Sequence, residues 1–363
     1  MGMKKACLPG RRDRGPLREP AQKLFSPSSL ASIWHYAAIA SDLLSLLLPG
    51  DYFMKLTSFY FLLLFFWVGH AHALNEWEKL NQKTELLYQQ GNYSGAVDAA
   101  IQALQIAEQT FDPNHADVAT SLNSLGLLYS AQGKYAQAEP LLSRALSIFE
   151  KSAGEESPEM AATLNNLGAL YKNQGQYTKA ETFYKRGLDI DEKALGPEHP
   201  DVAISLNNLA QLYQAQQKYA QAEPLLQRAL GIMEKKLGAD HPSTVMTMNN
   251  LGLFYSVQKQ YAQAEPLFKR VFTISKKTLG PDHPYVALSL NNLAGMYKDQ
   301  GKYPQAEPLF KRALTISEKS LGPDHPSVAT GLENLAQLYR DIGHAKQAEP
   351  LDKRAAEIRA MKR

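Results

Sequence analysis

The chain has 363 residues, 44% of them hydrophobic and 21% charged, with a formal net charge of +3. Such a balance excludes both a disordered polyelectrolyte and a strongly basic nucleic-acid surface. Eight of the 39 basic and four of the 36 acidic side chains fall in residues 1–73, so the remainder is close to neutral and lacks the clustered cations that displace counterions from DNA or an anionic membrane. Cys7 is the only cysteine, so an intrachain disulfide and a multi-thiolate metal site are both excluded.

Residues 1–53 carry scattered Arg, Pro and Ser and share no pattern with the rest of the chain. They read as an unstructured leader or as an extension upstream of a start at Met54. Residues 54–73 have the order of a secretory signal: Lys55, an apolar run from Phe59 to Val68, and Ala71-His72-Ala73 with the small-x-small pattern of a cleavage site. The run is short against the ~20 apolar residues that span a bilayer core. Cleavage predicts an exported chain, periplasmic or secreted, beginning near Leu74. The alternative is an uncleaved segment that anchors the chain to a membrane, which is the only membrane contact the sequence suggests.

Residues 74–112 hold one divergent helix pair, with Gly91, Tyr93, Ala96 and Ala103 at the spacing seen repeatedly downstream. From residue 113 to 363 a 42-residue period is kept over six copies. His199-Pro200, His241-Pro242, His283-Pro284 and His325-Pro326 mark it, as do Leu164-Asn165-Asn166-Leu167, Leu206-Asn207-Asn208-Leu209, Met248-Asn249-Asn250-Leu251 and Leu290-Asn291-Asn292-Leu293. Ser121 to Gly126 and Gly331 to Ala336 are weaker outer copies.

Each copy predicts two helices. Proline fits the first helical position, where its missing N–H costs nothing, so Pro284 starts the first helix of its copy. Leu290, Leu293, Ala294 and Tyr297 form its apolar stripe, and Gln300-Gly301-Lys302 the turn. The second helix carries Tyr303, Ala306, Leu309, Phe310, Ala313, Leu314 and Ile316, tolerates Pro308 near its start, and ends at Gly322 in a left-handed conformation with Pro323 beyond. The recurrent Ala138, Ala180, Ala222, Ala264, Ala306 and Ala348 allow the two helices to cross closely. One pair cannot bury its stripe alone, so neighbours stack. The fold class is all-α, a right-handed superhelical solenoid of tandem helix-turn-helix repeats with a concave and a convex face. Ala345 and Asp352 replace the usual tyrosine and phenylalanine of the last copy, as a polar capping repeat requires.

The spacing of Leu167, Gly168, Tyr171, Gly175, Tyr177 and Ala180 resembles the tetratricopeptide signature. The 42-residue period, with Leu-Asn-Asn-Leu, Ala-Glu-Pro-Leu and Gly-Pro-Asp-His-Pro, is similar to the repeats of kinesin light chains and their bacterial relatives. No heptad segment precedes the repeats, so the resemblance implies no motor pairing. It implies a non-enzymatic scaffold whose concave groove binds a protein or peptide in extended form.

Helical geometry puts both asparagines of each copy away from the apolar stripe. Asn165, Asn207, Asn249 and Asn291 form one row, with Asn166, Asn208, Asn250, Asn292 and Asn334 beside it. An amide both donates and accepts, so such rows suit the backbone of an extended ligand. The competing reading has one asparagine of each copy tying neighbouring repeats together. Lys172, Gln214, Lys298 and Arg340 lie farther along and favour a carboxylate-bearing ligand, although Asp299 and Asp341 offset two of them.

The periodic histidines stand one repeat apart, too far for a shared metal ion, and read as loop or helix-cap residues. Lys185, Lys269, Lys311 and Lys353 each follow a glutamate by four residues and read as solvated surface pairs. No phosphate loop, nucleophile elbow or carboxylate pair appears, so neither a cofactor nor a catalytic group is assigned. Self-association through the repeat ends or the convex face is the alternative to a peptide groove.

Overall fold

The computed structural model describes residues 50–152 and 157–361. Most of the proposed leader, residues 1–49, and the side chains of 54–68 lie outside the described residues. Fourteen helices succeed one another with no strand among the described residues. They are α1 (Gly50–Gln89), α2 (Tyr93–Thr110), α3 (Ala116–Ala131), α4 (Tyr135–Ser152), α5 (Pro158–Asn173), α6 (Tyr177–Leu195) and α7 (Pro200–Ala215), then α8 (Tyr219–Leu237), α9 (Pro242–Val257), α10 (Tyr261–Leu279), α11 (Pro284–Asp299), α12 (Tyr303–Leu321), α13 (Pro326–Asp341) and α14 (Ala345–Ala360). The chain divides into two compact units after Ile190, and within each the described residues form an all-α stack of tandem helix hairpins.

Helix boundaries obey local chemistry. Pro158, Pro200, Pro242, Pro284 and Pro326 open the first helix of their hairpins. The residue before each proline is an N-cap in extended conformation. His199, His241, His283 and His325 accept the backbone N–H two residues on through Nδ1, at 3.1–3.2 Å, and so does His115 ahead of Ala116. Ser157 does the same with its hydroxyl. The histidines are thus helix caps that satisfy one of the orphan N–H groups of each helix start.

The second helices end differently from the sequence expectation. Gly238, Gly280 and Gly322 have φ of 85°, 88° and 88°, but ψ between 156° and 163°. This is not the left-handed helical turn but the extended, positive-φ region that only glycine enters at low cost. The tight turn inside each hairpin uses positive φ as well. Glycine serves at Gly133, Gly175, Gly301 and Gly343, whereas Gln217 (φ 59°) and Lys259 (φ 60°) take the same conformation with a side chain attached.

Close helix crossing has a direct geometric basis. A Cβ placed on Gly168 would meet the Tyr184 ring at 2.7 Å, on Gly126 the Leu142 side chain at 2.7 Å, and on Gly252 the Phe268 ring at 2.9 Å. Tyr184, Leu142 and Phe268 are completely buried, and so are Ala138, Ala180 and Ala264. In the unit of residues 1–190 the core joins Val118, Leu122, Phe149, Met160 and Leu164. Trp77 of α1 is buried against that core and donates to Ser121 Oγ at 2.8 Å. The structure therefore makes α1 a single helix that continues through the proposed cleavage point at Ala73 into the first hairpin.

Two polar ladders add to the packing. Tyr171, Tyr255, Tyr297 and Tyr339 donate their hydroxyls to Glu139, Glu223, Glu265 and Glu307 of the preceding second helix, at 2.8–3.0 Å. Arg144, Arg186, Arg228, Arg270 and Arg354 pair with Glu108, Glu150, Glu192, Glu234 and Glu318, each 36 residues earlier. The fifth of the six registers breaks because Lys276 stands where the others have glutamate, and Arg312 instead lies over the Phe272 ring at 5.5 Å.

Candidate binding face

On an α-helix, with 3.6 residues per turn, positions i, i+3, i+4, i+7 and i+11 share one face. In α9 that face holds Met246, Asn249, Asn250, Leu253 and Val257, while Val245, Met248, Leu251, Gly252 and Tyr255 point into the core. The same face of α7 carries Ile204, Asn207, Asn208, Gln211 and Ala215. That of α11 carries Leu288, Asn291, Asn292, Gly295 and Asp299, and that of α13 begins with Thr330, Glu333 and Asn334. Helices α9 and α11, and α11 and α13, are in contact, so these strips adjoin within residues 191–363.

The asparagines are bonded to one another across hairpins. Asn250 Nδ2 donates to Asn207 Oδ1 at 3.1 Å, Asn292 Nδ2 to Asn249 Oδ1 at 2.8 Å, and in the first unit Asn166 Nδ2 to Asn123 Oδ1 at 3.0 Å. Each pair joins the second asparagine of one repeat to the first position of the repeat before it, 43 residues back. The two rows read from the sequence are therefore one ladder of interhairpin clasps. Asn166 and Asn249 are buried, and Asn165, Asn207, Asn208, Asn250, Asn291, Asn292 and Asn334 are half-buried.

A clasp uses one donor and one acceptor and leaves the rest of both amides. Among the asparagines of residues 191–363, only Asn291 Oδ1 is a buried amide atom without a partner. The unused Nδ2 groups of Asn207 and Asn249 and the unused Oδ1 atoms of Asn250 and Asn292 consequently reach solvent. Each clasp thus leaves one donor and one acceptor that are not sealed from solvent. The fourth register is open: Asn334 does not bond Asn291 Oδ1. At the next position Glu333 replaces asparagine and pairs with Arg359 at 3.0 Å.

The cations expected to favour a carboxylate are engaged within the chain. Lys298 lies 3.2 Å from Asp299 and 3.7 Å from Asp341. Arg340 pairs with Asp352, the residue that makes the last hairpin polar. Lys172 also has its own interactions within the chain, and Gln214 is half-buried on α7. Lys185, Lys269 and Lys311 pair with Glu181, Glu265 and Glu307 at 2.7 Å, as surface pairs do, and Glu349 with Lys353 does not close a fourth. The hydrogen bonds of Lys269 and Lys311, and after them those of Tyr297 and Tyr339, hold Glu265 and Glu307 below the usual carboxylate range.

Sequence reading did not anticipate the arginine zipper or the tyrosine–glutamate ladder. Both were present as period-42 residues offset by 36 and by 32, and a search for complementary side chains at offsets other than the repeat length finds them. The apolar members of the open face, Leu253, Val257 and Leu288, were also not singled out.

Comparison with known proteins agrees with this architecture. The tetratricopeptide repeat model matches residues 79–151, 159–235, 203–271, 243–319 and 285–360. No curated protein matches the chain. Among solved structures, a Podosopora anserina putative kinesin light chain with nearly identical TPR-like repeats is similar at 29% identity. That likeness covers 57% of this chain and 99% of that one, with a TM-score of 0.50. BtubC (BKLC) from P. vanneervenii shares the fold at 22% identity, covering 64% of this chain and 91% of that one, with a TM-score of 0.53. The Rap conjugation gene regulator of the plasmid pLS20, in complex with the Phr* peptide, shares it at 16% identity, covering 81% and 76%, with a TM-score of 0.59. With its family model matched along most of residues 79–360 and kinesin-light-chain-like repeats among its structural neighbours, the chain belongs to the tetratricopeptide repeat family.

Proposed function

We propose that this chain is a non-enzymatic scaffold that holds an extended segment of a partner protein along the first-helix face of its repeats. The observation that carries this reading is the clasp geometry. An extended backbone presents alternating N–H and C=O groups, and each clasp offers an oriented acceptor and donor to such a pair. Fixing the amides before a ligand arrives lowers the ordering cost of binding. A structural neighbour in complex with a peptide, the Rap regulator with Phr*, supports a peptide ligand at the level of fold.

The test replaces donors without breaking clasps. Asn207→Asp with Asn249→Asp keeps an oxygen to accept from Asn250 and Asn292 but removes the outward N–H groups. In a pull-down from the chain's native compartment, this variant should lose the partner retained by the natural chain while its circular dichroism stays unchanged. Retention of the same partner by the folded variant contradicts the proposal, and a loss confined to oligomer assembly favours self-association instead.

Export of the chain is part of the same proposal. His70 meets the Phe111 ring edge-on at 5.9 Å, but the buried contacts that anchor α1 start at Trp77, downstream of Ala73, so removal of residues 54–73 leaves the buried hairpin core in place. Amino-terminal sequencing of the mature protein should begin near Leu74, and a mature terminus upstream of Met54 refutes export.

A further inference from the structure

The open first-helix face in residues 191–363 is not uniform. Of the five exposed large hydrophobic side chains in that unit, three lie on it: Leu253 at 37%, Val257 at 60% and Leu288 at 43% exposure. Val257 and Leu253 are one turn apart on α9, and Leu288 starts the equivalent strip of α11. Ile204 and Met246 stand at the positions matching Leu288 in the two preceding hairpins and are half-buried. Gly295, one hairpin on from Leu253, has nothing within 4 Å of where a Cβ would lie, so the surface there is open down to the backbone. Polar Gln211 on α7 and Gln337 on α13 occupy the same position on either side. Exposed apolar side chains gathered on one face with a polar rim mark a site of contact with another molecule.

Charge decides what that molecule carries. The face of α7 and of α9 has no charged residue. The cations on or beside the face of α11 and α13 are engaged within the chain, Lys298 by both Asp299 and Asp341 and Arg340 by Asp352, and Glu333 pairs with Arg359, so the one charge in excess is negative and lies at the far end of α11 and α13. Over α9 and the start of α11 a charged ligand side chain would be desolvated without a counter-charge, whereas an apolar one gains by burial.

The geometry points to an extended partner segment with uncharged, apolar side chains as the occupant, seated over α9 and α11 with its backbone along the clasps Asn207–Asn250 and Asn249–Asn292. This inference rests on the peptide-holding reading and adds the ligand's class and its place. Leu253, Val257 and Leu288 supply affinity through the ligand's side chains, and the clasp amides supply direction through its backbone. The carboxylate preference expected from Lys298 and Arg340 does not hold for this patch.

The experiment titrates the full chain into three fluorescent peptide series of equal length, monitored by anisotropy. In one, leucine and valine alternate with serine and glutamine; in the others, aspartate or lysine replaces the apolar residues. The apolar series should saturate and the charged series should not. Val257→Asp with Leu288→Asp, and separately Val257→Ser with Leu288→Ser, should each weaken apolar binding by at least about tenfold, the serine pair excluding a pure charge effect. Both substitutions are at exposed positions, so circular dichroism should report an unchanged fold. Equal or tighter binding of a charged series, or apolar binding indifferent to both double variants, overturns the inference. If a charged series binds and is lost in Asn207→Asp/Asn249→Asp, the groove reading stands and only the ligand class falls. If no series binds, both fall together.

Discussion

Asn292 donates its side-chain amide to Asn249 at 2.8 Å, across 43 residues of sequence and from one hairpin to the next. Removing the Asn249 carbonyl leaves the half-buried Asn292 amide without its acceptor. Asn249→Ala should therefore cost about 1–3 kcal/mol. Because repeat arrays need not unfold in one step, the measurement is hydrogen exchange of α11 amides, which should speed up while those of α3 remain unchanged. Uniform acceleration along the chain, or none, would refute a local clasp.

Gly168 under Tyr184 makes a second expectation. Adding a methyl group at Gly168 drives it into a completely buried ring, so Gly168→Ala should destabilise by about 1–3 kcal/mol. The chain itself shows the tolerated alternative, since Ala210 and Leu226 occupy the equivalent positions one repeat later. Gly168→Ala combined with Tyr184→Leu should recover part of the loss, whereas Gly231→Ala, with open space at its Cβ, should be neutral or slightly stabilising. Urea denaturation of the three variants decides the matter.

Gln217 and Lys259 hold φ near 60° in turns where other repeats use glycine. Their side chains crowd the backbone in that conformation, and glycine relieves the crowding at some entropic cost. Gln217→Gly and Lys259→Gly should each stabilise by up to about 1 kcal/mol. A drop in the thermal midpoint of either variant would show that its side chain contributes more than its conformation costs.

Alkaline pH should weaken the array through its tyrosines. Burial, and after it the hydrogen bond to Glu139, pushes Tyr171 up to about 12, and burial does the same to Tyr285. Burial is also the main cause that raises Tyr255 and Tyr297. The unfolded chain loses these protons near pH 10, before the folded one, so the folded state binds more protons between about pH 10 and 12 and stability falls as pH rises. The stabilisation is complete below that window. Urea midpoints at about pH 9 and about pH 11.5 should differ in the natural chain and differ less in Tyr171→Phe.

The hairpin register was legible because proline, histidine, glycine and the apolar stripe recur without a slip. Pro284 opens α11, Tyr303 opens α12 and Gly322 ends it, as their chemistry requires. The continuity of α1 was not legible, since the signal-like run and the first hairpin have different compositions, and it is the packing of Trp77, Leu80 and Tyr88 that binds the helix to the repeats. The asparagines were legible as two rows, with a tie between neighbouring repeats as the competing reading, and the structure joins both asparagines into such ties. Reading at the 42-residue period aligns each amide with its own copy, whereas the hydrogen bond runs between neighbouring positions at an offset of 43. The apolar patch was hidden for a related reason. Leu253 and Val257 break the repeat, Leu288 only follows Ile204 and Met246, and single apolar residues on a helix surface carry little signal until neighbours are placed beside them.

The most direct measurement tracks the side-chain amide resonances of Asn207 and Asn249 by nuclear magnetic resonance as the apolar peptide series is added. Saturable shifts of both NH2 groups, with the same midpoint as the anisotropy titration, are expected if the clasps meet the ligand's backbone. Binding that leaves both groups unmoved, or shifts that do not saturate, would contradict it.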